Sequence, residues 1–585
     1  MAPCNEQGAK RGIRLQGETM NWLKKLQITH NSRKLALAAL VLLFAVGCNS
    51  SDPIAPSPHS VHVAFSGGGW RAHTAHAGWT LSLLEGGSKK LEDVFAHVGA
   101  VSSNSGGSWF STMLTYSADF VTAIEATNAI NTWPVTGEDA TGWLGQQQHL
   151  FDQADCNSLS GNEFLACVYA YYTGEDATYW HKVVEDLVFR DYPITVPLSG
   201  KRQTWAEGKP LLLAATMLTT EAVLGEEGGD KQYYQACLSP STPVLNGDSG
   251  AFCSDGTGAT PDVTPVTFSS MPGGSNYTAP PFLPAAGAGT NGPHFNLGYT
   301  ENALSYPATA TATIENPLVN DLVPVVTAAA ASSAAGGFAA SGVVSGDWEE
   351  AYLASNEALN FQLAGDMRHV VANGMTVEAL AAAKIVQIAD GGPVDNSGVA
   401  QLVSFLQLNN QADGFNIVAF DNVQVLYTPD GAAANVGIDI AFLFGEGLLQ
   451  GNQFCSGAKG SETRITLPNL QIFQVDPLTS PPELTWSAAA GDNSPPKLVH
   501  ELIYTKYTVT TTDNPTLGVA AGTTGTLHAF TCAWSDADTS PQNNTQDGDF
   551  KVYADMLSFI NVGLRNPDAE GQTGLKYLQD ALGLN

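Results

Sequence analysis

The sequence predicts an α/β protein, a central mostly parallel sheet flanked by helices, with inserted loops and a β-rich C-terminal part. Three observations point there. Short apolar runs bounded by turn residues alternate with stretches of helical periodicity. Glycine pairs and triplets stand where several of those runs end. The chain is 585 residues long and 44% hydrophobic, enough to bury a large core.

In chain order, VHVAF (61 to 65) is the first strand. Three glycines follow, then an Ala-rich apolar helix to about Leu84. AHVGAVS (96 to 102) is the second strand, and the segment from Gly106 to about Ser117 is helical. Residues 120 to 195, rich in Trp, Tyr and acidic side chains, read as helices of an insertion. PLLLAATML (210 to 218) is a buried strand. Residues 238 to 300 are dense in Gly, Pro, Ser and Thr and read as a long loop. KIVQIA (384 to 389) is a strand running into Asp390, and Val399, Leu402, Val403 and Leu406 repeat at helical spacing. FNIVAF (415 to 420) is a further strand, and residues 501 to 534 alternate as antiparallel strands do, an addition at the sheet edge. No internal repeat is visible.

The N-terminus reads as a targeting segment, with 1–47 a signal peptide, 48–60 a tether and 61–585 one folded domain. Lys24, Lys25, Arg33 and Lys34 precede LALAALVLLFAV (35 to 46), whose 12 apolar residues are too few to span a membrane. Met20 is a candidate true start, because residues 1 to 19 add nothing to a leader. Ala45-Val46-Gly47-Cys48 resembles the lipobox of bacterial lipoproteins. The resemblance implies cleavage before Cys48, lipidation of that thiol and export to a bacterial membrane, with the outer membrane or cell surface as its place. A plain signal peptide or an uncleaved anchor is the alternative.

Lys plus Arg number 25 against 56 Asp plus Glu, a net charge of −31. Such a surface repels nucleic acid, which excludes that class of partner. Beyond Cys4 and Cys48 six cysteines remain, Cys156, Cys167, Cys237, Cys253, Cys455 and Cys532, enough for up to three disulfides in an exported chain.

Three segments could carry chemistry. SGGGWRA (66 to 72) follows a strand with three glycines, whose N–H groups can converge on an anion at a helix start. It lacks the Lys-Ser/Thr of a phosphate-binding Walker loop, and a plain tight turn is the bland reading. SSNSGGSW (102 to 109) places Ser105 where a strand gives way to a helix, the setting of a nucleophile elbow, although Ser103 stands where that motif has glycine. Taken alone, Ser105 is better explained as a helix N-cap than as a nucleophile. Asp390-Gly391-Gly392 ends a strand, where an Asp-Gly turn is common.

Together these segments resemble the catalytic motifs of cytosolic phospholipase A2 and fungal lysophospholipases, within the wider patatin-like group. SGGGWRA is similar to their glycine-Arg motif, SNSGGSW to their nucleophile motif, and ADGGPVDNSGV (389 to 399) to their catalytic Asp segment. TAAAASSAAGGF (327 to 338) resembles the small-residue stretch before that segment in patatins. The resemblance implies a patatin-like fold and a lipid acyl hydrolase without cofactor or metal, acting on phospholipid or lysophospholipid. It implies Ser105 as nucleophile and Asp390 as its base. Gly68 and Gly69 would be the oxyanion donors, and Arg71 would hold the anionic intermediate or the lipid phosphate.

Two rivals stay open. His294, His369, His500 or His528 could complete a Ser-His-Asp triad, and the order Ser105, Asp390, then His500 or His528 is that of α/β-hydrolases. His73 and His76 are expected to pack on the first helix. A surface lipoprotein that binds lipid without catalysis is the rival from another class. No HExxH occurs, and Asp536, Asp538, Asp547 and Asp549 read as a solvated acidic loop rather than a calcium site.

Overall fold

The computed structural model describes residues 61–133, 142–153, 184–198, 200–219, 262–270, 295–296, 325–333, 360–361, 386–409, 411–423, 426–429, 435–446, 453–456, 463–466, 470–489, 499–514, 517–534 and 550–584. All of them lie in the unit Pro56–Asn585. The leader, Cys48, the tether, His294, His369 and the acidic loop at 536 to 549 lie outside the described residues.

The elements that frame the site come in this order. Strand β1 (Val61–Phe65) is followed by helix α1 (Gly69–Leu83), strand β2 (Val98–Asn104) and helix α2 (Ser105–Tyr116). Next are β3 (Leu211–Thr219), β4 (Asp262–Ser270), α3 (Val325–Ser332), β5 (Val386–Asp390), α4 (Val399–Leu408) and β6 (Phe415–Val423). The C-terminal part adds α5 (Ile438–Leu443), β7 (Leu484–Ala489), β8 (Val499–Thr510), β9 (Thr524–Trp534) and α6 (Lys551–Arg565).

One mixed sheet of eleven strands organises the described residues, in the order β7-β8-β9-β6-β1-β2-β3-β4 and then Phe295–Asn296, with β5 joined to β3 and Asn360–Phe361 joined to β5. Its centre is parallel, from β9 through β6, β1 and β2 to β3. Antiparallel pairs extend it on both sides, β7-β8-β9 at one and β3-β4 at the other. The fold is thus mixed α/β, with its continuous parallel run in the middle of the sheet and one further parallel pair, β4 with Phe295–Asn296, at the edge.

Helices cover both faces. Successive side chains of a strand point to opposite faces. Ser103 Oγ meets Ser108 and Ser111 of α2, at 3.3 and 2.7 Å. The neighbouring Ser102 Oγ faces Gly398 at the start of α4, lying 3.3 Å from where a Cβ there would stand. Strand β1 is buried throughout, as a parallel strand covered on two sides must be. Phe65 packs between His76, Phe110 and Phe420, with ring centroids at 5.0, 5.3 and 5.3 Å.

One sequence expectation needs correction. The stretch 238–300 contains β4 and Phe295–Asn296, so part of it is strand. DVTPVTFSS carries the β-branched residues of a strand, diluted by the Gly and Pro around it. The segment expected to be helical from residue 120 is helical in its described first part, and it packs into the main core. Ala118–Ile124, Ala129–Thr132 and Trp143–Gln153 are helices. Phe120, Trp133 and Trp143 join the main core, and Trp143 stacks on His73 at 3.9 Å. Among the described residues no helix is long and apolar enough to cross a membrane.

Candidate active site

Strand register brings the first pieces together. Strand β4 pairs with β3 along the whole of β3. The other edge of β3 is shared: β2 takes Leu211 to Ala214, and β5 takes Ala215 to Leu218 in the opposite direction. The ends of β2 and β5 therefore meet head to head, with Asn104 opposite Ala214 and Asp390 opposite Ala215. Ser105 is the next residue after Asn104. Two positions separated by 286 residues of sequence become neighbours at one level of the sheet.

The backbone turns sharply at Ser105. Its φ is +48°, one of three positive values among the described non-glycine residues. Such a conformation costs roughly 1–2 kcal/mol for a residue with a Cβ and persists only where the surroundings enforce it. Here they do. Ser105 N–H donates to Ser332 Oγ at 3.2 Å, and Ser108 Oγ meets the same hydroxyl at 2.8 Å. Trp109 Nε1 donates to Ser333 Oγ at 2.8 Å. Helix α2 then passes so close to the glycine loop that a Cβ on Gly106 would overlap the backbone of Gly69, and one on Gly107 would stand 2.6 Å from Phe65 O and Ser66 O. Ser103 is accommodated because its hydroxyl is bonded to α2, so glycine is not needed there.

The loop from Ser66 to Gly69 wraps over this turn. Gly68 and Gly69 have φ of +126° and +58°, values that favour glycine. Gly67 is needed for space instead. A Cβ there would overlap Asn396 Oδ1 and lie 3.0 Å from Ser105 Cβ. Gly67 N–H is taken by Asn396 O at 2.9 Å, whereas Gly68 and Gly69 N–H find no acceptor among the described residues. Those two donors, at the start of α1, are available to an anion.

Asp390 is buried at 5% exposure. Burial raises its pKa from an ordinary 3.8 to about 6, and hydrogen bonds from Gly392 N–H, the Ser105 hydroxyl and the Asn104 amide oppose that rise. The Gly392 N–H bond is 2.7 Å and the Asn104 Nδ2 bond 3.4 Å. Gly391 allows the close fit, since a Cβ there would overlap Asn104 Oδ1. Asp395, five residues on, caps α4: it accepts from Ser397 Oγ at 2.7 Å, Gly398 N at 3.1 Å and Gln401 N at 3.1 Å.

Arg71 lies against the end of β6. Its Nη2 donates to Asn422 O at 3.3 Å. With the Asn422 amide oxygen turned towards it, Asn422 accepts from Arg71 Nε and Ala72 N, each at 3.1 Å. Burial lowers the Arg71 pKa, and the nearby Tyr553, Asp439, Cys532 and Asp421 counter this. Asp421 and Asp439 are both buried, and burial pushes both carboxyls up, Asp439 to about 6. Arg71 thus faces a buried acid pair on one side and Gly68 on the other, with Nη2 2.7 Å from the place of a Gly68 Cβ.

No protein-family model, curated protein or solved structure matches the chain. The chemistry of the site rests on its own residues.

The histidines named as rivals stand elsewhere. Register runs from His528 to Val418, Val63 and Val101, which places His528 three strands from β2, roughly 14 Å across the sheet. Its Nδ1 pairs with Tyr504 Oη at 2.9 Å, and burial lowers its pKa to about 4. His500 is opposite Trp534 on β8, one strand farther out, and stacks on that ring at 3.6 Å. His73 stacks on Trp143, and His76 Nε2 pairs with Ser66 O at 2.8 Å. Among the described residues no group of three or more His, Cys, Asp or Glu could hold a metal. Cys532 is a buried free thiol in the middle of the sheet, which removes it from the three-disulfide reading.

Asn104, Asn396, Ser332, Asp421 and Asp439 were not foreseen as site residues. Asn104 and Asn396 lie inside the singled-out motifs, but nothing in a lone sequence distinguishes a bonded amide from a solvated one. Asp439 lies 43 residues beyond Asn396, and only the fold joins them.

Proposed function

We propose that the protein is a lipid acyl hydrolase of the phospholipase A/B or lysophospholipase kind, using Ser105 and Asp390 through an acyl-enzyme. The observation that carries the reading is Ser105 held at a φ of +48° between the glycine loop and a buried Asp390. That is how a nucleophile elbow presents a hydroxyl. The choice of a lipid ester, the patatin-like fold and the membrane anchor rest on the motif resemblances.

The cycle conserves every proton. Ser105 Oγ attacks the ester carbonyl carbon while its proton passes to the Asp390 carboxylate. The carbonyl oxygen becomes an oxyanion and takes the Gly68 and Gly69 N–H groups, which no acceptor among the described residues occupies. The C–O bond to the leaving alcohol breaks, and Asp390 returns the proton to that oxygen. Water then attacks the acyl-serine and gives a proton to Asp390. The bond to Ser105 Oγ breaks, the fatty acid leaves, and the proton returns to Ser105. A carboxylate of pKa about 6 is a better base than an ordinary Asp and is still ionised at neutral pH. Arg71 adds positive charge behind Gly68, where the oxyanion forms.

Product analysis on lysophosphatidylcholine tests this. Ser105→Ala and Asp390→Asn should each lose at least ~10³-fold in kcat/KM, while His500→Ala and His528→Ala keep activity. A folded His528→Ala or His500→Ala that is inactive beside an active Asp390→Asn would overturn the dyad. A folded wild type that releases no fatty acid would favour a lipid-binding protein.

A further inference from the structure

We propose that Asn396 is the positioning residue of this site, a clamp that holds the glycine loop and the serine elbow around Asp390 and anchors both on Asp439. The inference rests on the hydrolase reading above.

The carbonyl and both side-chain polar atoms of Asn396 are in use. The Asn396 carbonyl accepts from Gly67 N–H at 2.9 Å, which fixes the glycine loop. Its side-chain Oδ1 accepts from Asn104 Nδ2 at 2.9 Å, and that same Nδ2 reaches Asp390 Oδ1 at 3.4 Å. Its Nδ2 donates to Asp439 Oδ2 at 2.5 Å. One residue therefore joins four segments: the loop after β1, the end of β2, the turn after β5, and α5.

The chemistry requires an amide. Asn offers an acceptor and a donor on one short side chain, whereas Asp has no donor when ionised and Leu has neither. Gly67 fits the same picture. Its φ is not positive, yet a side chain there would overlap Asn396 Oδ1 and lie 2.8 Å from Asn104 Nδ2. The first glycine of the motif is small to admit the clamp, while the next two are glycines for their dihedrals.

The far end of the clamp is firmly held. Asp439 is buried, and the groups facing it are Asn396, Arg71, Asp395 and Asp421. At the near end, Asp390 faces Gly392 N–H, the Ser105 hydroxyl and the Asn104 amide. Losing the clamp frees Asn104 to turn away, which weakens one of the bonds favouring ionised Asp390.

The test measures kcat and kcat/KM against pH for lysophosphatidylcholine hydrolysis, with melting temperature alongside. Asn396→Ala should lower kcat at pH 8 by ~10–100-fold, the scale of a small misplacement of reacting groups. It should also move the acid-limb midpoint of kcat/KM upward. Asn396→Asp should be as damaging, because two carboxylates then face each other. The double variant Asn396→Asp/Asp439→Asn restores a donor opposite an acceptor and should recover most of the kcat at pH 8. Its midpoint stays high, because a negative charge has moved closer to Asp390. An active wild type beside an Asn396→Ala variant with unchanged kcat and midpoint would overturn the clamp and leave the hydrolase reading standing. So would a double variant that melts like wild type without recovering kcat. A folded wild type with no hydrolysis would overturn the hydrolase reading, and the clamp with it.

Discussion

Ser105 and Asp390 each occupy a state that folding alone would not choose. The positive φ of Ser105 is strained by its Cβ, and glycine would relieve it. In a helix glycine ordinarily costs ~0.5–1 kcal/mol relative to alanine. At residue 105 the order should reverse or vanish, with Ser105→Gly at least as stable as Ser105→Ala in chemical denaturation and both inactive. A Ser105→Gly variant less stable by the ordinary helical margin would mean that the turn stores no strain. For Asp390, burial lifts the pKa from 3.8 to about 6. On the proposed hydrolase reading the ionised form is the active one, so the acid limb of kcat/KM should have its midpoint near pH 6. Stability runs the other way. Between those two pH values the folded state holds a proton that the unfolded chain has released. The contribution of Asp390 is therefore most favourable at lower pH and declines as pH rises through 6. Calorimetry should show a fall in melting temperature across this window that is shallower in Asp390→Asn.

At the scale of elements, close backbone approaches set the site geometry. Helix α1 lies between α2 and α6, and Gly78 is the contact point with α6: a Cβ there would stand 3.2 Å from Ile560 Cδ1. Gly78→Leu should cost roughly 1–3 kcal/mol as an overpacked contact, read as a lower denaturation midpoint with an unchanged m-value. An unchanged midpoint would mean that the two helices are not held this tightly. The same elements show what the sequence could disclose. The apolar runs of β1, β2 and β6 stand out because strands buried on both faces need no polar alternation. The serine elbow is legible from the strand that ends at Asn104 and the glycines after Ser105. The antiparallel addition at β8 and β9 is legible too, but the antiparallel pairing on the far side of β3 is not. Strand β4 is diluted by Gly and Pro, and the reversed direction of β5 depends on a partner more than 160 residues away. Nor could the sequence reveal that Arg71 would turn towards Asn422, since that contact depends on the end of β6 reaching the start of α1.

For the whole molecule, the net charge of −31 is the dominant electrostatic fact. Buried carboxyls such as Asp421 and Asp439 add to the cost of ionisation on the acidic side. Self-repulsion of this kind is screened within a Debye length, ~30 Å at 0.01 M salt and ~3 Å at 1 M. Raising NaCl over that range should raise the melting temperature, and a flat response would mean that the surface charge is already balanced locally. The central claim is that one hydroxyl, one carboxylate and two backbone amides converge on a single ester carbon. Peptide mapping after treatment of folded protein with a fluorophosphonate tests it most directly. A single phosphonyl adduct on Ser105, lost or greatly slowed in Asp390→Asn, is the predicted result. An adduct on another serine, or none on Ser105, would contradict it.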